Sequence, residues 1–244
     1  MKIIKYSKKG KNKYNIYLED NTTILLHEEV ILKNELLLTK QINNKEELLK
    51  QNSKYEIYDD CIKYLSHKLR SIKELKEYLN KKYEVVDINN IINKLIEQGY
   101  LNDELYAKCY INDRINLSND GPNKIIKYLE NQNINYDIYN KYLDIFTKEI
   151  IYEKINKYID KMIKSNKKSK YVLKNKISIN LINLGYDKED INYCLNKIDD
   201  LDNKDNYLKT KDKLYIKLQK KYSGNELDRK VKEKLYQLGY FNNE

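Results

Sequence analysis

The stretch Leu181-Ile182-Asn183-Leu184-Gly185-Tyr186, followed by Asp190-Ile191, decides how this chain is read, because variants of it recur at a steady distance. Tyr78-Leu79-Asn80-Lys81-Lys82-Tyr83 precedes Asp87-Ile88. Tyr128-Leu129-Glu130-Asn131-Gln132-Asn133-Ile134 precedes Asp137-Ile138, and Leu235-Tyr236-Gln237-Leu238-Gly239-Tyr240 stands near the end. Aligning Lys82, Asn133, Gly185 and Gly239 gives spacings of 51, 52 and 54 residues, the mark of a tandem repeat.

Around these breaks the apolar residues keep helical time. Ile88, Ile91, Ile92, Leu95 and Ile96 make one stripe, with Asn89, Asn90, Asn93, Lys94 and Glu97 opposite, and Gly99 stands where a helix stops. Ser71 and Glu74 spell a capping box ahead of Ile72, Leu75 and Leu79, and a helix over Tyr58 to Leu69 completes a three-helix unit. In the third unit Tyr152, Ile155, Ile159, Met162 and Ile163 line one helix. Leu173, Ile177, Leu181 and Leu184 line a second, and Ile191, Cys194, Leu195 and Ile198 a third. Ser223-Gly224-Asn225-Glu226 again reads as a capping box before Leu227, Val231, Leu235 and Leu238, and the chain stops at Glu244 where another helix is due.

The first fifty residues follow a different period. Lys2 to Ser7 reads as a strand, Lys8 to Asn12 as a turn, and Tyr14, Ile16 and Leu18 alternate with Asn15 and Tyr17. After the turn at Asp20-Asn21, Thr22 to His27 makes a third strand; Glu28 to Glu35 and Glu46 to Gln51 are the helices that could cover the sheet. The expected fold is mainly α: tandem three-helix repeats in an elongated curved array, preceded by a small N-terminal β-meander. The expected segments are a β-rich extension with short helices at 1–54, repeats at 55–103, 104–150 and 151–203, and an incomplete fourth at 204–244.

Composition agrees with a helical chain. Among 244 residues, 6 Gly and 1 Pro are too few to punctuate a many-stranded sandwich or barrel, and 41% hydrophobic residues suffice for a core. The 47 Lys and Arg against 37 Asp and Glu give a net charge of +10, which favours an acidic partner such as nucleic acid. Only Arg70, Arg114 and Arg229 are arginine. The excess of Lys, Asn, Ile and Tyr fits AT-rich codon usage, which raises lysine whatever the function. Lysine meets phosphate as a point charge, so nucleic-acid contact would be to backbone without sequence reading.

Chemistry-bearing constellations are scarce. Cys61, Cys109 and Cys194 are far apart and in no CxxC pattern, which suggests reduced thiols. His27 and His67 have no neighbouring ligand at metal spacing, nor an evident nucleophile and orienting carboxylate. Gly10 lies outside any phosphate-loop spacing. With no apolar run of signal or membrane length, a soluble, cytoplasmic, non-enzymatic protein without cofactors is expected.

One family resemblance is carried by several pieces in order. Tyr64-Leu65-Ser66-His67-Lys68-Leu69-Arg70-Ser71-Ile72-Lys73-Glu74-Leu75 is followed by Gly99-Tyr100-Leu101-Asn102-Asp103-Glu104-Leu105-Tyr106-Ala107. Arg114 comes next, then Gly121-Pro122 before Ile125 to Leu129. Together they resemble the RecX regulators of the RecA recombinase, in the long form of low-GC Gram-positive bacteria. Lys68 stands for an arginine of that pattern, Asn102 for an aspartate, Tyr106 for a phenylalanine and Asp120 for a lysine.

The resemblance implies a monomer that binds RecA, lies along its nucleoprotein filament on single- or double-stranded DNA without sequence preference, and inhibits ATP hydrolysis and strand exchange. It marks Leu65, Ser71, Glu74, Leu75, Gly99, Tyr100, Leu101, Asp103, Ala107, Gly121 and Pro122 as structural, with Asp103 capping the helix that it opens. Candidate contacts to DNA or RecA are Lys68, Arg70, Lys73, Arg114, Lys124 and Lys127, with the cluster Lys164, Lys167, Lys168, Lys170 and Lys174. The run Lys8, Lys9 and Lys11 is a weaker candidate. Arg70 and Arg114 read equally as braces, paired to a carboxylate or bridging two helices. Two other readings stand beside this one: a sequence-tolerant DNA-binding protein that acts without RecA, and a helical scaffold for another protein.

Overall fold

The computed structural model describes residues 1–83, 88–166, 168–198 and 204–241, which form two compact units, Met1–Tyr106 and Ala107–Glu244. Lys167 of the predicted contact set and Asp87 of the first repeat lie outside the described residues.

The N-terminal unit opens with three antiparallel strands in sequential order, β1 (Ile3–Lys8), β2 (Lys13–Leu18) and β3 (Thr23–His27). Alternation turns Ile16 and Leu18 of β2 inward, opposite Ile24 and Ile3. Asp20 shapes the second turn by accepting from the Thr22 N–H at 3.0 Å, and Asn21 takes a left-handed φ of 64°. The inner face packs with Val30 and Ile31 of α1 (Glu28–Lys33), Leu36 of α2 (Leu36–Thr39), Ile42, and Leu48 of α3 (Lys45–Leu65). Each such burial is worth about 1.5–3 kcal/mol.

The helix expected over Tyr58 to Leu69 is the second half of this 21-residue α3, so the expected boundary at 54/55 falls inside a helix. Asn44 caps the helix by accepting from the Glu47 N–H at 3.1 Å, just ahead of the helix expected from Glu46. The helix expected at Glu46 to Gln51 is the first half of α3, and the periodicity hid the continuity of the two halves because one inward position between them is polar. Asn52 is 4% exposed; its Oδ1 accepts from the His27 N–H at 2.6 Å and its Nδ2 donates to the Leu25 carbonyl at 3.3 Å. A buried amide satisfied by a strand replaces the expected apolar residue. The helix ends at Ser66, and Leu69 is exposed.

α3, α4 (Ile72–Lys82) and α5 (Ile88–Glu97) form the first module around Ile57, Cys61, Leu75, Leu79, Ile91, Ile92, Leu95 and Leu101. The predicted capping box is present: Ser71 Oγ accepts from the Glu74 N–H at 3.1 Å, and Glu74 Oε2 from the Ser71 N–H at 3.2 Å. Burial pushes the Cys61 thiol up to about 12, which marks it as a core residue rather than a nucleophile.

The second module comprises α6 (Asp103–Leu117), α7 (Pro122–Asn131) and only a stub of the third helix, α8 (Tyr136–Tyr139), which passes into a 3-10 turn over Asn140–Ile145. The third comprises α9 (Lys148–Lys164), α10 (Lys170–Asn183) and α11 (Lys188–Leu195), closed by a 3-10 turn over Asn196–Ile198. Its predicted stripes meet in one core, including Ile155, Ile159, Leu173, Ile177, Leu181, Ile191, Cys194, Leu195 and Ile198. The fourth pairs α12 (Lys204–Leu218) with α13 (Gly224–Gln237) over a small core of Val231, Leu235 and Tyr240. Ser223 begins α13, yet its side chain makes no cap bond, a correction to the predicted capping box. Gly224, in the left-handed region at φ +55°, redirects the chain at that point.

The aligned breaks share a geometry from the second module on. Asn133, Gly185 and Gly239 all have positive φ, and the next N–H reaches back to the carbonyl five residues before it: Ile134 to Leu129 at 3.1 Å, Tyr186 to Leu181 at 3.1 Å, Tyr240 to Leu235 at 3.0 Å. Ile134, Tyr186 and Tyr240 are buried, completing Schellman-type stops. In the first module this geometry belongs to Gly99 after α5, while Tyr83 leaves α4 in extended backbone.

Candidate interaction surface

The residues of the structural motif hold helix ends. Asn102, where the family pattern has an acid, caps α6 by accepting from the Leu105 N–H at 2.9 Å. Asp103, expected to cap its own helix, points backwards instead: its Oδ1 accepts from the Ile72 N–H at 2.9 Å at the start of α4. Asn is as good an N-cap as Asp, so the substitution leaves α6 intact while Asp103 ties two helix starts together. Burial raises the Asp103 pKa above its ordinary value. Leu75, Leu101 and Ala107 are in the core, Leu65 packs against it and Tyr100 is exposed.

Gly121 and Pro122 make a joint between modules. The Gly121 N–H donates to the Leu184 carbonyl at 2.6 Å, and the Asn123 N–H to the Gly185 carbonyl at 3.1 Å. The exposed N–H groups at the start of α7 thus meet the exposed carbonyls at the end of α10. A Cβ on Gly121 would stand 2.7 Å from the Gly185 carbonyl, and one on Gly185 2.4 Å from the Lys124 nitrogen. The same positions meet again one module later, where Ser169, the N-cap of α10, donates from Oγ to the Leu238 carbonyl at 2.8 Å and lies against Gly239.

The two family-position arginines lie on paired tyrosines. The Arg70 guanidinium carbon is 3.8 Å from the Tyr64 ring centre, and Tyr64 stacks on Tyr78 at 3.9 Å. The Arg114 guanidinium is 5.0 Å from the Tyr110 ring, which stacks on Tyr128 at 4.2 Å. Both middle-helix tyrosines stand seven residues after their N-caps, Ser71 and Gly121. Arg229, outside the motifs, lies exposed on α13 beside Glu233 at 3.8 Å. The brace reading of Arg70 therefore takes a form other than the expected carboxylate pair, a cation–π layer worth about 1 kcal/mol. Its Nε and that of Arg114 are buried without a hydrogen-bond partner among the described residues.

Asp120 settles where several cations point. It takes Lys124 Nζ at 2.6 Å and Arg114 Nη1 at 3.8 Å. Beside it Tyr186 Oη donates to the Asn119 carbonyl at 3.1 Å and Lys154 Nζ to the Ser118 carbonyl at 2.8 Å. Burial pushes the Tyr186 hydroxyl up to about 12. Arg114 and Lys124 accordingly brace the joint. Lys68 lies 3.3 Å from Glu74 and Lys73 3.9 Å from Glu77. Lys170 and Lys174 are half-buried, whereas Lys127, Lys164 and Lys168 are exposed and form no ion pair among the described residues.

Most of the positive charge sits in the second unit, where 28 Lys and Arg face 20 Asp and Glu, or +8 of the +10. The run from Lys161 to Tyr186 holds seven lysines and no acid. At the end of α9 and along α10, Lys161, Lys164, Lys168 and Lys176 project to solvent with no ion pair among the described residues. Sequence reading overlooked Lys161 and Lys176; the absence of acids nearby was the signal that could have found them. Among the described residues, no group of three His, Cys, Asp or Glu side chains could hold a metal, and no helix is long and apolar enough to cross a membrane.

Tandem three-helix modules, helix ends joined carbonyl to amide, and a lysine-rich run define the class as a basic helical-repeat protein. Comparison places it more narrowly. A family profile described as "RecX, first three-helix domain" matches residues 58–95. The chain is 30% identical to "Regulatory protein RecX" of Listeria innocua over 76% of its own length and 71% of the relative. It is 29% identical to the protein of that name from Oceanobacillus iheyensis, over 96% of its length and 90% of the relative. The chain belongs to the RecX family of regulatory proteins. A crystal structure of RecX from Lactobacillus salivarius superposes with a TM-score of 0.54 at 29% identity, covering 61% of this chain and 97% of the other. Another RecX crystal structure shares the fold, with a TM-score of 0.66 at 23% identity over 79% and 98% of the two chains.

Proposed function

We propose that this protein is a cytoplasmic, non-enzymatic, monomeric regulator of homologous recombination and DNA repair that binds the RecA nucleoprotein filament and inhibits its ATP hydrolysis and strand exchange. Family membership over nearly the whole chain carries the reading. The unpaired lysines of the acid-free run from Lys161 to Tyr186 support it, because exposed ammonium groups suit phosphate contact along DNA in the filament. Lys127, Lys164, Lys168 and Arg70 are the predicted contacts that remain open to a partner, with Lys161 and Lys176 added. Inhibition follows if the protein binds one filament state more tightly than another; no covalent step is needed.

ATP hydrolysis by RecA on single-stranded DNA, followed while this protein is added, tests the proposal. Hydrolysis should fall by at least severalfold near stoichiometric protein, and unchanged hydrolysis overturns it. Exchanging Lys164 and Lys168 for Glu should weaken inhibition by about tenfold, on the scale of two phosphate contacts at moderate salt. The acid-free run also supports a second reading, sequence-tolerant DNA binding without RecA, which predicts tight, steeply salt-dependent binding to DNA alone.

A further inference from the structure

The turn between β1 and β2 lies beside the end of α3. An open groove of about 400 Å³ runs between them, lined by Lys9, Gly10, Lys11 and Asn12 of the turn, Lys13, and Asp59, Ile62, Lys63 and Ser66 of the helix. Four lysines separated by as much as fifty-four residues in sequence converge there. Two features set the groove apart from an ordinary solvated surface.

The first is a net positive charge, since three unpaired lysines face one carboxylate of the lining, Asp59. Lys13 is paired with Glu56 at 3.2 Å, and Asp59 faces the buried His27, Oδ2 to Nε2, at 3.5 Å. Lys9, Lys11 and Lys63 are exposed and take part in no ion pair among the described residues. The second is the backbone of the turn. The Lys9 N–H closes the hairpin on the Lys13 carbonyl at 2.7 Å, leaving the N–H groups of Gly10, Lys11 and Asn12 without a protein acceptor among the described residues. Gly10 lies at φ +94° with open space around it. Successive free N–H groups in a tight turn form a concavity that binds anions, and three neighbouring ammonium groups raise its affinity for phosphate.

We propose that this groove binds the phosphodiester backbone of single-stranded nucleic acid, which gives the β-rich extension a contact function of its own. The site needs neither RecA nor the lysines of α9 and α10. Three ammonium groups without a base-reading arginine predict contact indifferent to sequence.

The test uses the full chain and labelled oligo(dT), with affinity measured across a salt series. The triple variant Lys9→Gln, Lys11→Gln, Lys63→Gln should lose about tenfold in affinity at low salt, and the slope of log affinity against log salt should flatten by about 2, since each phosphate released on a single strand contributes about 0.7. A control triple, Lys2→Gln, Lys40→Gln, Lys81→Gln, removes the same charge elsewhere in the unit. Equal losses in both triples, or an unchanged slope in the first, overturn the proposal. Ser66→Lys places a fourth unpaired cation on the groove and should steepen the slope by about 0.7. Oligo-glutamate replacing DNA as the ligand whose binding the first triple abolishes would assign the groove to acidic protein and overturn it as well. RecA-dependent ATP hydrolysis is measured separately, so failure of the regulatory reading leaves this result readable.

Discussion

Two joints within the second unit solve one problem with different materials. Between the second and third modules, backbone meets backbone: the start of α7 at Gly121 donates directly to the carbonyls of Leu184 and Gly185. Between the third and fourth, a hydroxyl stands in the gap, with Ser169 Oγ accepting from the Val172 N–H at 3.3 Å and donating to the Leu238 carbonyl at 2.8 Å. One hydroxyl thus serves as both helix cap and link, while Gly121 gives up the side-chain cap to gain closeness. The difference teaches that a shared geometry in a repeat need not fix a residue type. What both joints require is a left-handed turn on one side, at Gly185 or Gly239, and something small on the other.

The backbone joint is the more brittle, and Gly185→Ala should break it hardest. Its φ of +89° already strains any residue with a Cβ, by about 1–3 kcal/mol, and that Cβ would stand 2.4 Å from the Lys124 nitrogen. Adding overpacking of similar size, a loss of about 4 kcal/mol is expected, read as faster hydrogen exchange at the Tyr186 amide with the Tyr240 amide little changed. Equal exchange at both amides would mean that the joints are not independent. Gly121→Ala is next, at about 2–3 kcal/mol. Its φ of −86° suits alanine, so the cost comes from the approach to main chain, 2.7 Å to the Gly185 carbonyl and 2.9 Å to the Tyr186 nitrogen. The double variant should bring no relief, because each new methyl meets main chain that cannot step aside.

How much of this could be read beforehand divides along sequence distance. Helix stripes, the β-meander, the Ser71–Glu74 box and the stops at Gly99, Gly185 and Gly239 are local patterns set by period and φ, and they were legible. The joints were half legible: glycine at 121 and 185 marks two helix boundaries, but nothing local says that these boundaries touch. Asn52 defeated the period because its burial depends on a strand more than twenty residues away. Asp103 was placed at the right helix start and given the wrong partner for the same reason. Among the candidate contacts, lysine counting could not separate Lys124, held by Asp120, from Lys164, which is free, and it could not see Lys63 join Lys9 and Lys11. Nor could tyrosine abundance, which tracks codon bias, reveal the rings under Arg70 and Arg114.

The gentlest test concerns the hydroxyl joint and whether its wall can yield. Ser169→Ala removes the cap on Val172, about 1 kcal/mol, and leaves the Leu238 carbonyl without its donor, about 1 kcal/mol more where water does not replace it. Gly239→Ala strains a φ of +86° and drives a methyl to 2.7 Å from the same Oγ, with the Tyr171 ring at 3.2 Å, for a loss of about 2 kcal/mol. Combined, the two share a cause: once Oγ is gone, the methyl introduced by Gly239→Ala has room and only the φ strain and the ring remain. The double variant should therefore cost about 0.5–1 kcal/mol less than the two single losses added, measured as local opening at the Tyr240 amide. Simple additivity there would mean that the Oγ contact sets no limit on Gly239. The repeat would then require glycine at its turn for φ alone, as the unencumbered Gly99 already does at φ +77°.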